Sequence, residues 1–131
     1  MIIDSSAITA VLLKEDEHER LLDRIADATS LVVGAPTVVE TGMVLVSRMG
    51  VLGRTLLSRF LQEAGVEVVA CTEEHWSVAV DAFEEYGKGR SPAGLNFGDC
   101  LTYAIATVAQ EPLLCIGDDF VRTDLQLVDA G

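Results

Sequence analysis

Short apolar runs alternate with stretches in which apolar residues recur every three or four positions along the chain. The short runs predict buried strands, and the periodic stretches predict helices with one apolar side. Strands are predicted at 1–4, 31–33, 66–71 and 113–116, with a short edge strand at 125–128. Helices are predicted at about 7–12, 19–28, 37–49, 56–64, 72–83 and 96–109, with Gly53 interrupting the pattern before the fourth helix.

This order of elements predicts the class of fold. Strands that alternate with helices favour a single α/β domain, residues 1–131, with a mainly parallel central sheet of four to five strands and helices on both sides. A chain of 131 residues suits one domain with a proper core. Half of the residues are hydrophobic but only 5% are aromatic, so we expect that core to be mainly aliphatic.

Two helices carry apolar residues that gather on one side. In the helix predicted at 37–49 these residues are Val39, Met43 and Val46, with Val44 beside them. In the helix that begins at Thr72, we expect four apolar residues to face the core, namely Trp76, Ala79, Val80 and Phe83.

The net charge of −12 is the unusual total of this sequence. Such a charge argues against long-range attraction to nucleic acid. It fits a protein that gathers carboxylates around metal ions, or one whose partner is basic. Composition does not separate these possibilities from an ordinary acidic enzyme.

The cysteines and the apolar runs bear on where the protein works. Cys71, Cys100 and Cys115 form no C-x-x-C pair and lie in apolar surroundings, which is typical of reduced, buried thiols. Met1 leads directly into a predicted strand, and no apolar run approaches the roughly 20 residues that a membrane span needs. We therefore expect a cytoplasmic protein without a leader or a membrane segment.

Acidic residues stand where predicted strands end and helices begin. Asp4 ends the first strand, Asp118 and Asp119 follow the fourth, and Glu40 and Asp99 lie in the first turns of two helices. The carboxyl ends of parallel strands form one edge of the sheet, and ligands bind there. A lone acid at such a junction is more often a helix cap, but several acids at comparable junctions favour a shared site.

A cluster of carboxylates needs compensation for its mutual repulsion. No Lys or Arg adjoins Asp4, Glu40 or Asp99, so the sequence favours a hard divalent cation held by oxygen ligands, Mg²⁺ or Mn²⁺. One or two such ions could lower the pKa of a bound water and offset the charge of a phosphodiester under attack. The chain has no Cys/His constellation for zinc, no P-loop and no G-x-S-x-G motif.

Four features stand out as a set: M-I-I-D-S-S-A at the start, Glu40, the run G-K-G-R-x-P-A-G-L-N-F-G-D-C, and G-D-D-F-x-x-T-D-L. Together they resemble the PIN-domain ribonucleases, and most closely the VapC toxins of type II toxin–antitoxin systems. The resemblance covers essentially the whole chain. It implies a PIN domain whose first strand is central in the sheet. It also implies a metal-dependent endoribonuclease that hydrolyses RNA by water attack and leaves a 5′-phosphate.

The resemblance also assigns roles to the acids. Asp4, Glu40, Asp99 and Asp119 match the catalytic carboxylates, and Asp4, Asp99 and Asp119 match the metal ligands. Asp118 adjoins Asp119 and could take its place. Whether the metal is Mg²⁺ or Mn²⁺, and whether one ion or two bind, stays open.

Other residues are candidates for contact with RNA. Ser6 matches a small hydroxyl position near the metal, and Asn96 matches a polar position at the edge of the site, although either could be a helix cap. Lys88 and Arg90 on the Gly-rich loop, and Arg122 beyond Asp119, could bind RNA phosphates or belong to ordinary solvated loops.

Partners follow from the same resemblance. It implies a homodimer and a cognate VapB-type antitoxin whose C-terminal segment occupies the cleft and places a basic residue among the carboxylates. The apolar residues of the 52–64 region could bind the antitoxin or belong to the core. Two other functions stay open, a non-catalytic binding module with a PIN fold and a metal-dependent phosphatase or DNA nuclease.

Overall fold

The computed structural model describes residues 1–129, so the last two residues of the predicted domain lie outside the described part. The strands are β1 (Ile2–Ile3), β2 (Val32–Gly34), β3 (Glu67–Val69) and β4 (Leu113–Leu114). The helices are α1 (Ser5–Leu12), α2 (His18–Asp27), α3 (Ala35–Met49), α4 (Val51–Glu63), α5 (Glu73–Tyr86) and α6 (Phe97–Ala109).

The four strands form one parallel sheet in the order β3-β2-β1-β4. β1 therefore lies inside the sheet, between β2 and β4, in agreement with the expected central position. The predicted edge strand at 125–128 is reduced to a single parallel bridge between Leu113 and Leu127. Its backbone pairs with β4 only through Leu113, which donates to Gln126 O and accepts from Val128 N.

The two faces of the sheet support two halves of the core. Successive strand residues point to opposite faces, so Ile2 packs on one side and Ile3 on the other. The side of Ile2 is covered by α5 and α6, and the side of Ile3 is covered by α1 to α4. Helices thus flank the sheet on both sides, as the alternating pattern predicts.

The expected inward side of α5 is wrong for three of its four residues. Ala79 is buried, but Trp76 is 58% exposed, and Val80 and Phe83 are also exposed. The helix packs on the core with its small residues Ala79 and Ala82, which allow a close approach to α6 and leave the larger side chains outside.

The apolar side of α3 is likewise exposed, because this helix turns other residues inward. Its buried residues are Thr37, Thr41 and Leu45. The Thr41 hydroxyl donates to Thr37 O at 2.7 Å, which satisfies a polar group that burial would otherwise leave without a partner.

The outward residues Val39, Met43 and Val44 adjoin Phe97 and Leu101 of α6. Phe97 and Leu101 in turn adjoin Val80 and Phe83 of α5, and we call these seven residues the apolar surface.

Gly53 does not interrupt a helix but lies inside α4, contrary to the sequence-based expectation. A Cβ at this position would come within 2.4 Å of Leu45 O, so glycine lets α4 pack tightly against α3. In the region 52–64, Leu57 and Phe60 are buried in the core and Leu52 is exposed. None of the helices in residues 1–129 is long and apolar enough to cross a membrane.

Candidate functional site

Asp4 leaves β1 at the carboxyl edge of the sheet and caps α1. Its Oδ2 accepts hydrogen bonds from Ser6 N at 3.1 Å and from the Ser6 hydroxyl at 2.7 Å. The same hydroxyl accepts from Ile116 N at 3.0 Å, just beyond β4. Ser6 therefore joins the carboxylate of Asp4 to the neighbouring strand end. Only 4% of the surface of Asp4 is exposed at that edge of the sheet.

Asp99 and Asn96 form a reciprocal cap at the start of α6. Asn96 Oδ1 accepts from Asp99 N at 2.9 Å, and Asp99 Oδ2 accepts from Asn96 N at 3.1 Å. Asn96 is thus the N-cap of α6, one of the two interpretations open from the sequence. Of the two carboxylate oxygens of Asp99, only Oδ2 takes part in this cap, and Oδ1 does not.

Glu40 lies in the second turn of α3 rather than the first, because the helix begins two residues earlier than predicted. Its carboxylate lies directly against Gly98 of α6. A Cβ built on Gly98 would stand 2.1 Å from Glu40 Oε2, so only glycine leaves room for this carboxylate. Gly98 thereby brings Glu40 beside Asp99 at the start of α6.

A buried hydroxyl pair fixes α3 against α6 next to these acids. Thr37 Oγ1 and Thr102 Oγ1 lie 3.1 Å apart and share a hydrogen bond. Thr37 precedes Glu40 by three residues, and Thr102 follows Asp99 by three, so each hydroxyl lies about one turn from an acid on its own helix. The pair therefore sets how the two acids face each other.

The pKa of Asp99 shows that the acids share one electrostatic environment. This pKa is raised from 3.8 to about 6 as the net result of several causes, of which burial is the largest and the hydrogen bond from the Asn96 backbone is the one that lowers it. The negative charges of Asp119, Asp4 and Glu40 contribute to this rise, with Asp119 contributing most among them. Asp4, Glu40 and Asp119 thus all act on Asp99, and both Asp118 and Asp119 line the neighbouring groove.

The carboxylates surround a common region without converging on one point. Within residues 1–129, no three His, Cys, Asp or Glu side chains are spaced to hold a metal ion as they stand. Cys115 is partly buried near the negative charges of Asp4 and Asp119. Burial, together with these charges, raises the pKa of its thiol to about 12. The thiol is therefore protonated at neutral pH, and the charged groups of the site are its oxygen donors.

The basic candidates differ in how close they lie to the acids. Arg122 Nη1 donates to Pro92 O at 3.1 Å, which joins the loop after β4 to the Gly-rich loop. These two loops border a groove of about 430 Å³ that contains Asp118, Asp119 and Arg122. Arg90 is instead attached to α5, since it donates to Glu84 O at 3.3 Å and stacks over the Phe83 ring. Lys88 is exposed on the loop.

Sequence reasoning missed the residues that position the acids. Thr37 and Thr102 could have been noticed through their three-residue spacing to Glu40 and Asp99, which puts each pair on one side of a helix. Gly98 gives no such signal, because the side chain that needs its space comes from another helix.

The shifted pKa of Asp99 predicts a particular dependence of stability on pH. The folded state holds the proton of Asp99 more tightly than the unfolded chain, so this residue lowers the free energy of unfolding as pH rises from about 4 to 6. In Asp99→Asn, which has no ionisable group at this position, we expect the free energy of unfolding not to fall for this reason. Urea unfolding of both proteins in EDTA should show a stability difference that is small near pH 4, grows up to about pH 6 and then stays constant. A difference that does not change with pH would contradict the assignment.

The chain is similar to known proteins of one family. Residues 1–125 match the family model of the PIN domain. The chain is 46% identical over 127 residues to Ribonuclease VapC36 of Mycobacterium tuberculosis, covering 96% of this chain and 91% of that relative. It is 40% identical over 128 residues to a Ribonuclease VapC of Mycolicibacterium smegmatis, covering 98% and 99% of the two chains.

Solved structures share the fold. The crystal structure of Mycobacterium tuberculosis VapC20, a sarcin-ricin loop cleaving toxin, matches with a TM-score of 0.80 at 17% identity over 97% of both chains. VapBC2 from Rickettsia felis, bound to a DNA fragment from their promoter, matches with a TM-score of 0.78 at 14% identity, over 97% of this chain and 96% of that one. At sequence identities of 17% and 14%, the similarity to these two structures is a similarity of fold.

Proposed function

The chain belongs to the PIN-domain family, in its VapC group, and from this premise we propose that it is a metal-dependent endoribonuclease of a type II toxin–antitoxin system. The observation that carries the proposal is the electrostatic coupling of Asp99 to Asp119, Asp4 and Glu40 at the carboxyl edge of the sheet. A protein gains no stability from assembling four carboxylates with a raised pKa among them. Such an arrangement is typical of a site that binds cations and performs chemistry.

The donor set fits a hard divalent cation, Mg²⁺ or Mn²⁺. Every charged group of the cluster is an oxygen donor, and the thiol of Cys115 stays protonated. Asp4, Asp99 and Asp119 would hold the ion, and Gly98 leaves the carboxylate of Glu40 room beside them. When bound, the cation supplies an activated water and offsets charge on the phosphodiester.

The residues of the chain perform the remaining tasks. Glu40, close to Asp99 at the start of α6, accepts the proton of the attacking water, acting as general base. The water oxygen bonds to phosphorus as the P–O3′ bond of the RNA breaks, and the departing 3′ oxygen takes a proton from solvent, which leaves a 5′-phosphate on one product and a 3′-hydroxyl on the other. Arg122, at the border of the groove, and Lys88 on the Gly-rich loop bind flanking phosphates, which offsets the unfavourable net charge of −12 near the substrate.

Partners are proposed from the same surfaces. The apolar surface adjoins Glu40, so a partner that covers it would also border the acidic groove. We propose two such partners: a cognate VapB-type antitoxin that brings a basic residue to the carboxylates, and a second copy of this chain. Basic side chains among the acids would relieve the repulsion that raises the pKa of Asp99.

The direct test is cleavage of a labelled panel of tRNA, rRNA fragments and mRNA by the purified protein. We expect cleavage with Mg²⁺ or Mn²⁺, none with EDTA, and none by Asp4→Asn, because that change removes a buried carboxylate from the edge of the sheet. Single-stranded DNA and a phosphomonoester, tested alongside, separate an RNase from a DNA nuclease or phosphatase. A folded, antitoxin-free protein that cuts nothing with either metal would favour the binding-module alternative.

A further inference from the structure

The segment that follows β4 carries Asp119 although it contains no regular helix or strand between residues 115 and 129. Beyond the bond from Ile116 N to the Ser6 hydroxyl, the segment is attached to the core by Phe120, whose side chain is only 2% exposed and packs together with Tyr103 of α6. Asp119 therefore stands next to a buried residue that contacts the half of the core containing α6. The segment is also bonded to β4, where Leu113 N donates to Gln126 O at 2.9 Å, and to the Gly-rich loop, where Arg122 Nη1 donates to Pro92 O at 3.1 Å, but neither bond joins it to α6.

A tight turn makes the next residues of the segment rigid. Phe120 O accepts from Thr123 N at 3.1 Å and from the Thr123 hydroxyl at 2.7 Å. That hydroxyl also accepts from Leu125 N at 3.3 Å. Hydrogen bonds thus join residues 120–125 into one turn, and Val121 N donates to Asp118 O at 3.4 Å, which includes Asp119 in the same bonded stretch.

The far end is bound to α6 through a side-chain hydrogen bond. The Tyr103 hydroxyl donates to Asp124 Oδ1 at 2.5 Å. Burial, together with the neighbouring charge of Asp124, raises the pKa of Tyr103 above its ordinary value, so the hydroxyl keeps its proton and remains a donor. Tyr103 follows Asp99 by four residues, which places both side chains on the same side of α6.

We propose that the hydrogen bond between Tyr103 and Asp124 positions the carboxylate of Asp119 relative to that of Asp99. Phe120 packs in the half of the core that contains α6, and Asp124 bonds directly to α6, the helix that carries Asp99, whereas the other bonds of the segment run to β4 and to the Gly-rich loop. The inference rests on the proposed function in so far as it takes Asp119 as a working acid of the site. Tyr103 is on this view a positioning residue, with no contact to substrate or metal required of it.

The test replaces the hydroxyl alone. In Tyr103→Phe we expect Mn²⁺ to bind about tenfold more weakly, as is typical when a residue that orients a metal ligand is lost. RNA cleavage should fall at limiting Mn²⁺ and recover at high Mn²⁺. Isothermal titration calorimetry measures the binding without reference to activity. Hydrogen exchange in EDTA should be faster at the amides of Val121 and Thr123, which are bonded within the turn.

Two further variants separate positioning from general stability. Asp124→Asn keeps an oxygen that can accept from Tyr103 and should restore near-normal Mn²⁺ affinity, whereas Asp124→Ala should behave like Tyr103→Phe. Thr72→Ala removes the N-cap of α5 and should lower the melting temperature without changing Mn²⁺ affinity or the exchange of the turn.

The outcomes also distinguish this proposal from the ribonuclease itself. Unchanged Mn²⁺ affinity and unchanged exchange in Tyr103→Phe, with RNA cleavage intact, would overturn the positioning role and leave the enzyme standing. Faster exchange and weaker Mn²⁺ binding in a protein that cuts no RNA would support the positioning role and count against the enzyme. Faster exchange in a protein that binds no Mn²⁺ would reject a metal-linked role for the bond.

Discussion

Asp99→Asn is expected to lower RNA cleavage by roughly 100-fold or more while making the metal-free protein more stable. The loss of activity follows from removing one of the carboxylates that would hold the cation. The gain in stability follows from the raised pKa of Asp99, since the ionised acid is disfavoured by burial and by the charges of three other acids. An opposite change in the two properties is the signature of a residue kept for function.

The size of the stability gain is limited by solvent. A shift from 3.8 to about 6 corresponds to about 3 kcal/mol for a fully buried group, but Asp99 is partly exposed and solvent screening reduces the effect to about 1 kcal/mol. The Asn96 cap survives, because an Asn side chain can also accept from the Asn96 backbone. Urea unfolding in EDTA at pH 7 and cleavage assays in Mn²⁺ measure the two effects.

Asp81→Asn is the matched control, because it removes one negative charge from an exposed position of α5. It should change neither property appreciably. If Asp99→Asn retained cleavage within a few-fold of the wild type, the site would not depend on Asp99 and the proposed metal ligands would be wrong.

Gly98→Ala is expected to reduce cleavage by about 10- to 100-fold without destabilising the fold. The added methyl group would stand 2.1 Å from Glu40 Oε2, so the carboxylate has to move away from Asp99. The fold should tolerate the change, because the displaced group is the flexible end of a side chain and alanine favours a helix more than glycine by about 1 kcal/mol. The measurements are the turnover number and the melting temperature.

Gly42→Ala provides the control on α3, where a Cβ would meet only Leu57 Cδ2 at 3.4 Å, about ordinary contact distance. It should leave cleavage unchanged. A double variant with Glu40→Gln sharpens the test, since Gly98→Ala should cost little further activity once Glu40 has lost its charge. Full additivity of the two changes would mean that Gly98 acts through something other than Glu40.

The sequence predicts the features that depend on local pattern. The strand that ends at Asp4 and the helix that begins after Asn96 follow from short apolar runs, helical spacing and cap residues, and the structure has both. The sheet edge shared by Asp4 and Asp119 follows from the alternation of strands and helices. The sequence singles out Glu40 by its expected place in the first turn of a helix, and the structure puts it in the second turn of α3, because the helix begins earlier than the apolar spacing indicates.

The features missed by the sequence depend on how the helices approach one another. Hydrophobicity predicts that Phe83 turns inward and gives no reason to bury Thr41, yet close packing on Ala82 and a hydroxyl bond to Thr37 O reverse both expectations. Gly53 and Gly98 similarly serve residues on other helices. The role of each of these residues depends on a neighbour from another helix, so it can be recognised only when the packing of the helices is known.

Uncharged hydroxyl groups link the parts of this site: the Ser6 hydroxyl bonds Asp4, the Thr37–Thr102 pair joins α3 to α6, and the Tyr103 hydroxyl bonds Asp124. This has a consequence for how the protein can evolve. Loss of an acid would remove activity in one step, whereas exchange of a single hydroxyl would shift a carboxylate slightly and lower activity by a smaller amount. Lineages that must coexist with a harmful enzyme could therefore adjust its potency gradually through these three places, while the acids themselves stay unchanged.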